Sequence, residues 1–212
     1  MGKFDTDILA VGAEYVVDIA SQALTNGGFV AFDRPDYYTE LLQHCATRQR
    51  GLLEDDPSFK QIIPYLVLTH EDRVFYYARP AGINEQRLAN KISIGVGGHI
   101  ELEDIAHADQ TIQAAVTREV KEEIGENVTV TTITPLGFLY NEASQVDRVH
   151  LGILMIGTAS TAELQVDDEE IGRHGFVTAE QLDQMVQGGG YEAENWTKIA
   201  WQHVRQRLNI QQ

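Results

Sequence analysis

The segment TIQAAVTREVKEEIG, residues 111–125, constrains the chain most. Its apolar residues recur with helical spacing, and Gly125 supplies a stop signal at the end. At about 100° per residue, with Ile112 at zero, Ala115, Val116, Val120 and Ile124 share one apolar arc. Glu119 then falls at roughly 340° and Glu123 at roughly 20°, inside that arc. Glu122 lies on its edge, at roughly 280°. Three carboxylates at i, i+3 and i+4 therefore crowd one side of a helix, close to the core. Like charges at that spacing repel, and burial raises the cost. A hard divalent cation such as Mg²⁺ or Mn²⁺ removes the repulsion, because oxygen ligands are what it prefers. A basic partner elsewhere, or a helix turned toward solvent, also removes it.

Upstream, SIGVGGHIE (93–101) reads as a strand that breaks into a glycine turn. Glycines there let the backbone approach another group closely. Two glycines alone usually mean only a turn. A glycine turn followed by a helix carrying R-E-x-x-E-E and closed by glycine is much more specific.

The combination resembles the Nudix box: a glycine, five residues, a Glu, seven residues, then R-E-U-x-E-E-x-G-U, with U a bulky aliphatic. REVKEEIG (118–125) matches the second half, and GGHIE (97–101) fits the first. Asp104 stands where the pattern has its upstream Glu. Thirteen residues, not seven, separate Asp104 from Arg118, so EDIAHADQTIQ is expected to hold a six-residue insertion as a loop. Glu126 replaces the final aliphatic, a role Val128 can take.

The resemblance implies a metal-dependent hydrolase cleaving a diphosphate linkage in a nucleoside diphosphate-linked compound. By position, Glu119, Glu122 and Glu123 would bind Mg²⁺ or Mn²⁺, Glu119 could double as the base, and a Gly97 or Gly98 carbonyl would complete the shell. Arg118 would hold a helix carboxylate in place. Asp104 is the first candidate for the upstream acid, ahead of Glu103 and Asp109. Arg79, Gly97 and His99 are candidates for substrate contact, as is Lys91. Glu169 and Glu170 either supply a second base or form a solvated acidic loop. His99 and His107 are otherwise surface or packed residues. Tyr140 reads as a core or surface aromatic, and Trp196 and Trp201 as packing or interface anchors.

The remaining chain sets the context. A mixture of strands and helices without regular βα alternation predicts an α+β fold. With the resemblance it becomes an α/β/α sandwich with a mixed sheet, residues 59–212. Residues 1–58 form an N-terminal α/β extension packed on that core. Strands are expected at DILAV (7–11), GFVAF (28–32), IIPYLVLT (62–69), RVFYYAR (73–79), 128–140, 149–159 and 174–178. Helices are expected at 16–24, 37–50, 179–186 and 194–208, and a short one at Pro57.

The chain has 16 basic and 32 acidic residues, a formal charge of −16. That balance disfavours nucleic acid and anionic membranes as partners and leaves a small-molecule diphosphate, brought in with a cation. No run is long and apolar enough to span a bilayer. Cys45 is the single cysteine, which suits a reducing cytoplasm, and it reads as a half-buried helix residue. A homodimer is the assembly entertained. Two rival classes share the fold. One is a non-catalytic nucleotide-binding sensor, disfavoured by the whole helix motif. The other is an isomerase, which would need a cysteine in the core sheet.

Overall fold

The computed structural model describes residues 2, 4–34, 37–80, 90–105, 108–166, 171–187 and 191–210. In chain order the elements are β1 (Asp7–Gly12), α1 (Val17–Thr25), β2 (Phe29–Ala31), α2 (Tyr37–Leu42), β3 (Cys45–Gln49), β4 (Phe59–His70), β5 (Arg73–Ala78), β6 (Lys91–Ser93) and β7 (Gly95–Val96). They continue with α3 (Ala108–Glu123), β8 (Val130–Leu139), α4 (Gln145–Val149), β9 (His150–Ala159), β10 (His174–Thr178), α5 (Ala179–Val186), β11 (Glu192–Ala193) and α6 (Asn195–Ile210). This is the expected α+β class with a mixed, open sheet. The chain divides into two compact units, Met1–Tyr65 with Gly97–Val116 and Pro135–Met155, and Leu66–Val96 with Thr117–Thr134 and Ile156–Gln212.

In the first unit, β1 is antiparallel to β3, from Asp7↔Gln49 to Val11↔Cys45, and to the start of β4, with Ala10↔Gln61 and Gly12↔Phe59. Every β1 residue after Asp7 is buried. An apolar run buried on both faces suits a strand with a neighbour on each side. Ile8, Ala10 and Leu53 form a core cluster against Phe59. Each large side chain buried this way contributes about 1.5–3 kcal/mol. Strand β2 pairs with β8 through Phe29↔Leu139, and the ring of Phe32 meets that of Phe138 edge-on at 4.8 Å.

In the second unit, β4 turns through Glu71 and Asp72 into β5, with His70↔Arg73 in register. This is the hairpin read from HED. β5 also pairs antiparallel with β6 and β10, and β11 adds to β6 in parallel, which makes the sheet mixed. Phe75 and Phe176 pack ring against ring across the β5–β10 pair, at 5.7 Å. Helix α5 opens with a capping box between Thr178 and Gln181. Asp183 on α5 accepts hydrogen bonds from Trp201 Nε1 and Arg205 Nε of α6, both at 2.8 Å.

Four local expectations are corrected. The helix expected over 37–50 ends at Leu42, and Cys45–Gln49 is strand β3. Its backbone pairs with β1, and that pairing outweighs the helix propensity of TRQR. Cys45 is thus a strand residue; burial pushes its thiol up to about 12, so it stays protonated near neutrality. No helix forms at Pro57; the turn there hands directly to β4. The loop expected over EDIAHADQTIQ is partly helical. Leu102–Asp104 make a 3₁₀ turn, and α3 begins at Ala108. N-terminal growth of the helix by three residues, Ala108–Gln110, absorbs half of the six additional residues, at 1.5 Å per residue.

Candidate active site

Helix α3 places its acids as its periodicity requires. Ile112, Ala115, Val116, Val120 and Ile124 are all buried, and Glu119 is only 9% exposed among them. Gly125 ends the helix at φ +123°, where a Cβ would crowd the Gln165 carbonyl. A side chain there would be both strained and obstructed. Arg118, itself 16% exposed, donates through Nη1 to Glu119 Oε1 at 2.9 Å and to Glu122 Oε2 at 3.1 Å. One guanidinium therefore offsets the repulsion between two of the three carboxylates. Glu122 is largely exposed and free to turn toward a ligand at small cost.

The third carboxylate, Glu123, faces a different group of charges. Burial drives the Tyr77 hydroxyl well above its ordinary range, and the Glu123 charge adds to the effect. Tyr77 donates to the Gly95 carbonyl at 3.2 Å and accepts from Arg79 Nη2 at 3.0 Å. Arg79 Nε binds Glu194 Oε1 at 2.9 Å. Burial works against the Arg79 charge. The surrounding Tyr77, Glu194 and Glu123 outweigh it and hold the guanidinium firmly protonated. So Arg79, read from sequence as a cation for substrate, is also the centre of a half-buried ion-pair network. Neither Tyr77 nor Glu194 was singled out from sequence; Glu194 lies 115 residues from its partner. Lys91 lies 3.7 Å from Glu192, a loose surface pair.

In the first unit the glycine turn is held against β4. Gly97 has φ +148°, and a Cβ on it would overlap the Pro64 carbonyl oxygen. Only glycine fits that approach. Next to Gly98, His99 Nε2 lies 2.7 Å from Gln61 Oε1 and 3.3 Å from His150 Nε2. His150 Nδ1 lies 2.7 Å from the Val146 carbonyl. Asp104 is 4% exposed and accepts from the Glu101 N–H through Oδ2 at 2.9 Å, one half of a capping box. Asp104 thus fixes the 3₁₀ turn that it closes. Tyr140 is a buried aromatic, one of the two readings given to it, and its hydroxyl donates to Glu142 at 2.8 Å. Trp201 is a packing anchor through Asp183. Glu169, Glu170 and His107 lie outside the described residues, as does the side chain of Asp109.

Among the described residues, no three His, Cys, Asp or Glu side chains converge closely enough to hold an ion. The donor set on α3 nonetheless fits a hard divalent cation. It consists only of carboxylate oxygens, one of them buried, and Arg118 supplies positive charge to two of them here. Also among the described residues, no helix is long and apolar enough to cross a membrane.

Comparison with known proteins identifies the family. The NUDIX domain profile matches residues 64–197. Protein YmaB of Bacillus subtilis is 34% identical over 175 residues, covering 80% of this chain and 84% of YmaB. The crystal structure of Tm1382 superposes with a TM-score of 0.76 at 27% identity, covering 96% of this chain and 99% of Tm1382. That coverage leaves about 8 of 212 residues unmatched (4% of the chain), so the likeness takes in most of residues 1–58. A NUDIX hydrolase from Alicyclobacillus acidocaldarius shares the fold, with a TM-score of 0.53 at 13% identity over 68% of this chain and 90% of its own. With the REVKEEIG helix and the glycine turn in place, this chain belongs to the Nudix family.

Proposed function

We propose that this protein hydrolyses a diphosphate linkage in a nucleoside diphosphate-linked compound, with Mg²⁺ or Mn²⁺ as cofactor. The observation that carries the reading is the α3 face, where Glu119 is kept nearly buried beside Arg118 with Glu122 one turn on. A fold needs no buried carboxylate there, and burying one without purpose is costly. Bound divalent cation would supply charge neutralisation at the phosphates and an activated water.

The chain's own residues take the following roles in this reading. Glu119, Glu122 and Glu123 present the oxygens that hold the cation. Glu119 also serves as the base. Arg118 fixes the orientation of Glu119 through their 2.9 Å contact. Gly98 offers a backbone carbonyl, Gly97 the close approach of the turn, and His99 a polar contact for substrate. Asp104 supports the turn. Arg79 contributes positive charge toward an anionic substrate. A second base at Glu169 or Glu170 remains part of the proposal, as do a cytoplasmic location, suggested by the single cysteine, and a homodimer.

Activity should be screened on ADP-ribose, dinucleoside polyphosphates, nucleotide sugars, NADH, coenzyme A and nucleoside triphosphates with Mg²⁺ present. Release of a phosphomonoester from at least one is expected. Tight binding without turnover across the panel would favour a non-catalytic sensor instead.

A further inference from the structure

Three adjoining strands of the second unit bring Tyr77, Arg79 and Glu194 together. Tyr77 and Arg79 stand two residues apart, at and just beyond the end of β5, and a period of two puts both side chains on one face. The Arg79 N–H continues the pairing with β6 by donating to the Lys91 carbonyl at 2.9 Å. On the other side of β6, β11 runs parallel with Ala193 opposite Ile92, and the Glu194 N–H donates to the Ile92 carbonyl at 3.0 Å. Arg79 and Glu194 therefore meet across β6.

The guanidinium is held at several points. Nε donates to Glu194 Oε1 at 2.9 Å, Nη2 donates to the Tyr77 hydroxyl at 3.0 Å, and Cζ lies 5.2 Å from the Tyr77 ring centroid. Tyr77 is itself fixed, 2% exposed and donating to the Gly95 carbonyl. The Arg79 and Glu194 side chains are only 14% and 13% exposed, so the pair is largely shielded from water. Charges in such surroundings act on one another more strongly than at the surface.

Glu123 closes α3 in the same unit, with its Oε2 buried. Burial opposes the Arg79 charge, and Tyr77, Glu194 and Glu123 together outweigh it. Burial likewise holds the Tyr77 hydroxyl above its ordinary range, and Glu123 is the strongest charge adding to that. One guanidinium thus faces two carboxylates. Without the Glu194 charge, Arg79 would act on Glu123 alone, as a fixed cation competing with a bound one.

We propose that Glu194 is a positioning residue for the cofactor cation: it holds Arg79 and balances its charge, so that Glu123 keeps the negative charge that Mg²⁺ or Mn²⁺ requires. Tyr77 steadies the other arm of Arg79. In the metal-free protein Arg79 then tempers the Glu123 charge, as Arg118 tempers those of Glu119 and Glu122. This rests on the metal reading above and extends it to residues that hold no metal themselves.

The test is Mn²⁺ binding to the full chain, followed by the EPR signal of free Mn²⁺, for wild type, Glu194→Gln and the double variant Glu194→Gln/Arg79→Gln. Gln keeps the shape of Glu194 and removes its charge. The Kd for Mn²⁺ should rise at least about tenfold in Glu194→Gln, the scale of losing a partner that orients a metal ligand. The double variant should return to within about threefold of wild type, since the unbalanced cation has gone with its partner. A double variant that binds no better than Glu194→Gln would overturn the inference, because a residue that only supports the fold gives that result. Circular dichroism and thermal melts check folding. If Glu194→Gln does not fold, Tyr77→Phe takes its place: it releases one arm of Arg79 without changing a charge, its Kd should rise, and an unaltered Kd would overturn the inference. If wild type binds Mn²⁺ and hydrolyses a diphosphate while a folded Glu194→Gln matches its Kd, only this inference fails. Wild type that takes up no Mn²⁺ ends the metal reading as well.

Discussion

Arg118 and Glu119 are neighbours in sequence and form an ion pair at 2.9 Å, with side chains 16% and 11% exposed. Adjacent helical residues do not normally face each other. Here the long guanidinium folds back over the carboxylate and reaches Glu122 from the same nitrogen. Removing it strands a nearly buried charge. Arg118→Ala should lower the stability of the metal-free protein by about 3 kcal/mol. Urea unfolding measures this, and Mg²⁺ should restore part of the loss. Arg118→Lys should recover less than half, because an ammonium lacks the planar fork.

Residues 1–58 are expected to be indispensable. β1 lies between β3 and β4 with Ile8 and Ala10 buried, so deletion exposes one side of β4 and opens the cluster with Leu53 and Phe59. An unpaired apolar strand edge promotes aggregation. The chain from residue 59 onward should be insoluble or lose its cooperative melt. A soluble truncation with the wild-type melting temperature would show the segment to be dispensable.

The α5–α6 lock gives a pH signature. The hydrogen bond from Arg205, with a further one from Trp201, holds the Asp183 carboxyl below its ordinary range. A depressed folded pKa adds stability above the unfolded value, about 3.9, and this is lost as pH falls through the folded value. The stability difference between wild type and Asp183→Asn should therefore be flat from pH 5 to 8, at about 1 kcal/mol given the partial exposure. It should shrink toward zero below pH 4. Chemical denaturation at each pH measures it.

The buried carboxylate of α3 was legible because a helical period assigns every residue to a face, and Glu119 could not leave the apolar arc without rotating Val116 and Val120 into water. The β4–β5 hairpin was legible for a similar reason, with two β-rich runs and a polar turn between them. Other features depend on contacts far apart in sequence. Nothing local in CATRQ announces a strand; it becomes one because β1 has a backbone edge to pair. Arg79 finds Glu194 across 115 residues, and His99 finds Gln61 across 38 and His150 across 51. The insertion before Arg118 could be counted against the family spacing. Counting could not tell that Ala108–Gln110 would extend the helix, and not the loop.

The central claim is that the α3 carboxylates work through a divalent cation, and metal removal tests it most directly. Initial rates on the best substrate of the panel should be measured in Mg²⁺, in excess EDTA, and after Mg²⁺ is added back, for wild type, Glu122→Gln and Glu123→Gln. Wild-type activity should vanish in EDTA and return with Mg²⁺. Each variant should lose at least about 100-fold in kcat with saturating metal, the scale of a lost preorganised electrostatic contact. Undiminished wild-type turnover in excess EDTA, or variants with wild-type kcat, would contradict the account.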